Sequence, residues 1–236
     1  MNFAVVFAAG VGVRMGSETP KQFLPLDGVP VLLHTLLNFE RHPSVDGIYL
    51  VVNADWIDQA RVFAAEGGIT KLRGVTAGGA SAQDSIYRGL RYVAEHEADD
   101  SVVLLHDGVR PYVTDDVITA NIEAVKRYGS AITYTPCYET VVVSSDGKSI
   151  DSIPYRRESY TAQAPQSFRL RDIIAAHERI RSRPEGYTDM VDQATIMHTL
   201  GCEVHLVPGN RGNIKVTTPE DLVTLEALIK WRRERA

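Results

Sequence analysis

Short runs of β-branched and apolar residues alternate along this chain with stretches whose apolar positions recur every three to four residues. The first period is that of strands and the second that of helices, and their regular exchange predicts an α/β fold with a mostly parallel sheet. Phe3-Ala4-Val5-Val6-Phe7-Ala8 predicts the first strand and Ile48-Tyr49-Leu50-Val51-Val52 the second. The second is apolar throughout, as expected where helices cover both faces of a sheet. Between them Pro30 is expected to open a helix with Leu32, Leu33, Leu36 and Leu37 on one side. Ser85 to Val93 predicts another helix, with Ile86, Leu90 and Val93 facing inward. Val102-Val103-Leu104-Leu105 then predicts a buried strand that delivers His106 and Asp107 at its carboxyl end. Asp115 is placed to cap the helix that follows, and Gly129 to stop it. Near the end, Thr218 with Pro219, Glu220 and Asp221 marks a helix start, and the helix is expected to run through Trp231 to Arg235.

One segment breaks the alternation. Thr140 to Ser144, Ser145-Asp146-Gly147-Lys148 and Ser149 to Ile153 predict a β-hairpin around an Asp-Gly turn. The chain therefore reads as one domain over 1–236, with 137–160 as an inserted arm. That arm either packs on its own domain or projects to pair with a second subunit.

A length of 236 residues is enough for one α/β domain with a sizeable core. A formal net charge of −5 argues against a general nucleic-acid binder but leaves room for a locally basic pocket. Cys137 and Cys202 form no CxxC pair, so neither a zinc site nor a disulfide framework is indicated, and both are expected to be buried as small hydrophobes. No apolar run approaches the ~20 residues that span a bilayer, and the N-terminus lacks the marks of a signal peptide. The expectation is a cytoplasmic protein without nucleic-acid or membrane partners.

The chemistry concentrates after the first strand, in Ala8-Ala9-Gly10-Val11-Gly12-Val13-Arg14-Met15-Gly16, with Pro20-Lys21-Gln22 shortly beyond. In open α/β sheets ligands sit at the carboxyl ends of the strands. Glycines there let backbone N–H groups approach a phosphate, and Arg14 and Lys21 add fixed positive charge. Two common nucleotide motifs fail. Walker A needs Gly-Lys-Ser/Thr, which does not occur. The dinucleotide fingerprint needs glycine where Met15 stands, which disfavours a dinucleotide-dependent oxidoreductase. A phosphate site of another kind is indicated. No Gly-x-Ser-x-Gly surrounds Ser81, so a hydrolase nucleophile is not expected.

Ala-Ala-Gly-x-Gly-x-Arg-Met followed by Pro-Lys-Gln-Phe-Leu resembles the sugar-phosphate nucleotidyltransferases, and more narrowly the cytidylyltransferases acting on ribitol 5-phosphate or 2-C-methylerythritol 4-phosphate. The likeness continues through Gly78-Gly79 with Ser85, His106-Asp-Gly-Val-Arg-Pro111, Glu139-Thr140, Ala164-Pro-Gln-Ser-Phe168 and Asn213-Ile-Lys-Val-Thr217, over essentially the whole chain. It implies a single Rossmann-like nucleotidyltransferase domain that moves CMP from CTP to a polyol phosphate. Ala8, Ala9, Gly10, Gly12, Gly78, Gly79 and Ser85 would bind CTP, and Arg14, Lys21 and Lys215 would act on the reacting phosphates. Asp107, Arg110, Thr140 and Arg156 would hold the acceptor. Mg²⁺ or another divalent cation would travel on the CTP phosphates, with Asp107 as a candidate ligand. The arm would pair two subunits, so that Thr140 and Arg156 complete the partner's site in a homodimer.

This chemistry needs no general base, because a phosphate monoester with a second pKa of about 6 is largely dianionic at neutral pH. It needs cations that align two repelling anions, and Arg14, Lys21, Arg110, Arg156 and Lys215 are of that type. The chain departs from the family pattern at Ala82, where arginine is usual, and at Ala164 and Val191, where threonine is usual. Asp55-Trp56 and the run from Ile153 to Tyr160 resemble the ribitol branch, which favours ribitol 5-phosphate over the methylerythritol substrate. A catalytically silent nucleotide-binding module is the alternative of another class. Retention of Arg14, Lys21, Asp107, Arg110 and Lys215 together disfavours it.

Overall fold

The computed structural model describes residues 1–10 and 19–234. Nine strands and seven helices follow one another among these residues. β1 (Asn2–Ala8) leads through the small pair β2 (Pro25–Leu26) and β3 (Val29–Pro30) to α1 (Val31–Arg41), β4 (Gly47–Val52), α2 (Ile57–Glu66) and β5 (Leu72–Ala77). Then come α3 (Ala82–Ala94), β6 (Val102–Asp107), α4 (Asp115–Tyr128), β7 (Ser130–Pro136), β8 (Tyr160–Arg169) and α5 (Leu170–Arg181). The chain ends with α6 (Gln193–Thr199), β9 (Leu206–Pro208) and α7 (Pro219–Arg233).

Seven strands form one sheet in the order β5-β4-β1-β6-β8-β7-β9. β5, β4, β1 and β6 are mutually parallel, β8 runs antiparallel to both β6 and β7, and β9 is parallel to β7. Alternate residues of each central strand enter opposite cores. Ala4, Val6 and Ala8 pack with α1, α2 and α4, whereas Phe3 and Val5 pack with α3, α5 and α6. Each fully buried Val, Leu, Ile or Phe removes enough apolar surface to contribute ~1.5–3 kcal/mol before chain entropy is counted. A third cluster seats α7 on β2 through Leu26, Val31, Val109, Val216 and Leu225. No helix among the described residues is long and apolar enough to cross a membrane.

Helix boundaries follow the chemistry of their ends, with local shifts from expectation. Gly129 closes α4 at φ 86°, in the left-handed region. Thr218 and Asp221 form a reciprocal capping box at the start of α7. Pro30 stands one residue before α1 and pairs with Pro25 across the small β2–β3 hairpin, so the helix opens at Val31. Thr114, not Asp115, is the N-cap of α4, and Asp115 is its first helical residue, where its charge suits the helix dipole. Cys137 and Cys202 are free thiols of intermediate exposure; neither is buried as expected, since one opens the arm and the other follows the C-terminus of α6.

The arm keeps the expected turn and little of the expected ladder. Asp146 accepts from the N–H groups of Lys148 (2.8 Å) and Ser149 (2.9 Å), and Gly147 takes φ 68°. A single antiparallel bridge joins Val143 to Ser152. Two strands with no third to pair against are marginal in water, which accounts for the short ladder. Val142, Val143, Ile150, Ile153 and Tyr155 are all exposed on this segment.

Candidate active site

Three loops converge at the carboxyl edge of the parallel strands. The first leaves β1 at Ala8. Its far end returns through a 3-10 turn over Lys21–Phe23, where buried Gln22 donates from Nε2 to the Ala8 carbonyl (2.7 Å). Phe23 stacks on Trp56 with ring centroids 4.6 Å apart, which fixes the turn from the other side. Lys21 Nζ donates to the Val216 carbonyl at 2.9 Å. Gly12 and Arg14 lie outside the described residues, and Gly10 is the last described residue on the β1 side.

The second loop leaves β5. Gly78 N–H bonds to the Val52 carbonyl (2.7 Å), and Gly79 N–H donates to Ser85 Oγ (2.9 Å). A side chain at either glycine is excluded sterically. A Cβ on Gly78 would stand 2.6 Å from the Ala9 Cβ, and one on Gly79 would collide with the Asp84 carboxylate. Ala9, Gly78, Gly79 and Ser85 are therefore gathered into one small patch. Asp84 accepts from Ala80 N–H (3.1 Å), Arg88 Nε (3.1 Å) and Arg181 Nη1 (3.2 Å). Burial alone would raise its pKa, but these donors outweigh burial and hold it below the usual carboxylate range.

The third loop leaves β6. Asp107 accepts from Arg110 Nε (2.8 Å) and Lys215 Nζ (2.8 Å), one cation on each oxygen. Arg110 also donates to the Asn213 carbonyl (2.8 Å), and Val216 N–H bonds to the Val109 carbonyl. The 213–216 segment is thus stitched to the β6 loop, which brings Arg110 and Lys215 onto one carboxylate, while Lys21 is tied to the same segment through the Val216 carbonyl. Desolvation pushes the Asp107 pKa up, but Lys215 and Arg110 pull harder and leave it well below the usual range. His106 is buried, lies edge-on to Phe39, and meets the Arg110 carbonyl through Nε2 (3.1 Å). Burial lowers its pKa to about 4, so the ring is neutral at pH 7 and packs rather than titrates.

Asp107, Arg110 and Lys215 line a cavity of ≈ 180 Å³ together with Gln83, Gln166 and Gln193. Among the described residues no serine, threonine or cysteine lines it. Ala82, Ala164 and Val191, where the sequence departs from the pattern it resembles, all lie on its wall. Thr140 and Arg156 are exposed and do not line this cavity; Thr140 borders a separate hollow beside Tyr138 and Arg211. Trp56 packs on Phe23 and Tyr160 on Tyr134 (4.8 Å), and neither lines the cavity; of the stretch that resembles the ribitol branch, only its continuation through Gln163, Ala164 and Gln166 does. Gln83 and Gln193 carry no motif or charge, and sequence analysis did not single them out.

A mostly parallel α/β sheet with Arg110 and Lys215 on a cavity at its carboxyl edge, Lys21 anchored beside it and no hydroxyl or thiol nucleophile among the described residues of its wall, has the make-up of a phosphate-transferring enzyme. The chain belongs to the IspD family, described as 2-C-methyl-D-erythritol 4-phosphate cytidylyltransferase, whose model matches residues 2–231. The ribitol-5-phosphate cytidylyltransferase of Vibrio parahaemolyticus serotype O3:K6 is 43% identical over 230 residues, which is 97% of this chain and 96% of that protein. The 2-C-methyl-D-erythritol 4-phosphate cytidylyltransferase of Geobacter metallireducens is 42% identical over 229 residues, 97% of each chain. The crystal structure of 4-diphosphocytidyl-2C-methyl-D-erythritol synthase from Anaerococcus prevotii superposes with a TM-score of 0.83 at 28% identity, covering 97% of this chain and 96% of that one.

Proposed function

We propose that this protein transfers CMP from CTP to a polyol phosphate, D-ribitol 5-phosphate first among them, giving CDP-ribitol and pyrophosphate. The observation that carries the proposal is the Asp107–Arg110–Lys215 cluster on a cavity with no nucleophilic hydroxyl or thiol among its described residues. The acceptor phosphate is then the nucleophile. One of its oxygens forms a bond to the α-phosphorus of CTP, the bond to the bridging α–β oxygen breaks, and that electron pair leaves on pyrophosphate. Arg110, held between Asp107 and the Asn213 carbonyl, presents its remaining N–H groups to the acceptor phosphate. Lys215 and Lys21 are assigned to the charge that accumulates on the α-phosphate and the leaving group, and Arg14 is assigned with them from the sequence. Ala8, Ala9, Gly10, Gly12, Gly78, Gly79 and Ser85 form the proposed CTP cradle.

A divalent cation fits this site on the donor chemistry. Among the described residues no three His, Cys, Asp or Glu side chains gather as a cage. Mg²⁺ at nucleotide sites is usually carried by phosphate oxygens and water with one or two carboxylates. Asp107 is the carboxylate that would serve, and the ion would neutralise charge on the triphosphate.

The exposed apolar side chains of the 137–160 arm support a homodimer in which Thr140 and Arg156 enter the partner's site. A monomer by light scattering at micromolar concentration would remove that part of the proposal. A cytoplasmic location goes with the CTP requirement.

The second acceptor, 2-C-methylerythritol 4-phosphate, is favoured by the matching family model and by a relative in Geobacter as similar as the ribitol enzyme of Vibrio. Pyrophosphate release with CTP and Mg²⁺ separates the two. Faster release with ribitol 5-phosphate is the expected result. A preference for the methylerythritol substrate would overturn the acceptor assignment, and silence with every polyol phosphate would overturn the catalytic one.

A further inference from the structure

We propose that Gln193 is a specificity-determining residue whose side-chain oxygen accepts a hydrogen bond from a hydroxyl of the acceptor polyol. This deepens the function proposed above and rests on it. Gln193 opens α6 and lines the cavity that holds Asp107, Arg110 and Lys215. It is only 4% exposed. Its Oε1 is buried with no partner among the described residues.

The polar side chains that contact its backbone or amide, or cap its helix, are already engaged. Asp192 spends Oδ1 on capping α6, accepting from Thr195 N–H (2.8 Å) and Thr195 Oγ1 (2.7 Å), and Oδ2 on Gln166 Nε2 (2.9 Å). Gln166 Oε1 accepts from the N–H groups of Gln193 (3.0 Å) and Ala194 (3.1 Å). Gln83 donates from Nε2 to the Met190 carbonyl (2.8 Å) and accepts at Oε1 from Gln193 Nε2 (3.4 Å). The Met190 carbonyl can only accept, so the orientation of Gln83 is fixed, and through it that of Gln193. The amide atom left over is an oxygen, which needs a donor. Gln163 lines the same cavity and its Oε1 also lacks a partner among the described residues, but that oxygen points to the β9 side, 2.7 Å from where a Cβ on Gly209 would stand.

A buried acceptor without a donor is costly enough that one is expected to be supplied. The register of the sheet says from where. Gln166, which holds the Gln193 backbone, pairs with Leu105, two residues before Asp107 on β6. Gln193, held by Gln166 on β8, therefore lines the same cavity as the cations beyond the end of the neighbouring β6. A molecule whose phosphate lies against Arg110 and Lys215 extends its hydroxyl-bearing chain along this wall. Ala82, Ala164 and Val191 offer no side-chain hydrogen bond there, and the unpartnered His106 Nδ1 belongs to a buried ring packed on Phe39, so Gln193 Oε1 is an acceptor left on this wall to read a hydroxyl. A site built to pair with a hydroxyl discriminates strongly against an analogue that lacks it.

The test is steady-state pyrophosphate release by wild type and Gln193→Leu with CTP, Mg²⁺, ribitol 5-phosphate and its monodeoxy analogues. Gln193→Met, which keeps the side-chain length, replaces the leucine variant if its melting curve shows a folding defect. The expected result is a ~10-fold fall in kcat/KM for ribitol 5-phosphate with the KM for CTP unchanged. One deoxy analogue should react equally well with wild type and variant, because the bond is absent from both. Equal losses toward CTP and acceptor, an unchanged acceptor kcat/KM, or no analogue that closes the gap would overturn the inference while wild-type turnover upheld the function. Wild type inactive on every polyol phosphate would overturn both.

Discussion

Asp107→Asn tests whether the carboxylate charge organises the cationic end of the cavity. The amide would keep the shape and one acceptor oxygen but lose the charge that faces Arg110 and Lys215, each at 2.8 Å. A charge-assisted hydrogen bond contributes ~1.5–3 kcal/mol, and the Arg110 side chain, 14% exposed, falls in that range. The Lys215 side chain is 42% exposed, so solvent screening reduces its share to under ~1 kcal/mol. The sum is ~2–3 kcal/mol, which for a chain of this size lowers Tm by about 5–10 °C. The pH dependence gives the sharper check. The folded pKa of Asp107 is depressed below its unfolded value of 3.8, so its contribution is fully present above that value and is lost as pH falls through the folded pKa. The stability gap between wild type and variant, read from urea midpoints, should hold from pH 7 to about pH 5 and narrow below about pH 4. A variant that melts with wild type, or a gap that widens on acidification, would refute the reasoning. With Arg110 and Lys215 no longer pinned, kcat/KM for the acceptor should fall by roughly 10²-fold.

Lys21→Ala should reduce kcat by at least ~10²-fold while the circular dichroism spectrum is unchanged, since Nζ touches the backbone of the 213–216 segment and not the core; near-normal turnover would remove Lys21 from the phosphate site. Arg181→Gln should raise the Kd for CTP several-fold in calorimetric titration with little change in kcat, because Arg181 steadies Asp84, which holds the Ala80 N–H beside the proposed nucleotide loop; an unchanged Kd would show that the loop holds without it. Burial depresses His106 and His177 from 6.5 to about 4 each. Between those pH values the unfolded chain binds more protons, so stability present above pH 6.5 should drain away on acidification, on the order of 3 kcal/mol per ring at most. Urea midpoints that stay flat between pH 7 and about pH 4.5 would contradict the neutral buried state.

The parts of the fold that were legible share one property: their chemistry is local. β1, β4 and β6 are apolar on both faces because helices cover both, and Gly129, Thr218 and Pro219 carry their end signals in their own side chains. β8 was not legible as a strand. It holds Gln166 and Ser167 buried, and Ser167 Oγ donates to Asn121 Oδ1 (2.9 Å) on α4, so its polar residues are satisfied by partners distant in sequence. Pro165 sits beside a register shift near Thr133, where its missing N–H disrupts no regular ladder. β5, with Arg73 and Gly74, hides its pattern because Tyr92 fills the space over Gly74. In the proposed site, glycines and cations were singled out from sequence because close backbone approach and phosphate charge restrict which residues can serve. Gln83 and Gln193 did not, because an amide becomes informative only once its partners are known.

Under the proposed function the cavity would divide its work between two ends, and the sequence departures fall on one of them. Arg110 and Lys215 supply donors at the β6 end, where a phosphate needs donors. Ala82, Ala164 and Val191 remove a guanidinium and two hydroxyls from the opposite wall relative to the pattern the sequence resembles. What remains unmet there, among the described residues, is a surplus of acceptors: Gln193 Oε1 is buried without a partner. Gln163, on β8 at the same cavity, likewise has a buried Oε1 without a partner among the described residues. A wall short of donors and long in acceptors favours a ligand whose hydroxyls donate. Loss of donors at three positions therefore need not weaken acceptor binding in general. Under the proposed function it would change which acceptor fits, shifting recognition from groups that give hydrogen bonds to amide oxygens that take them.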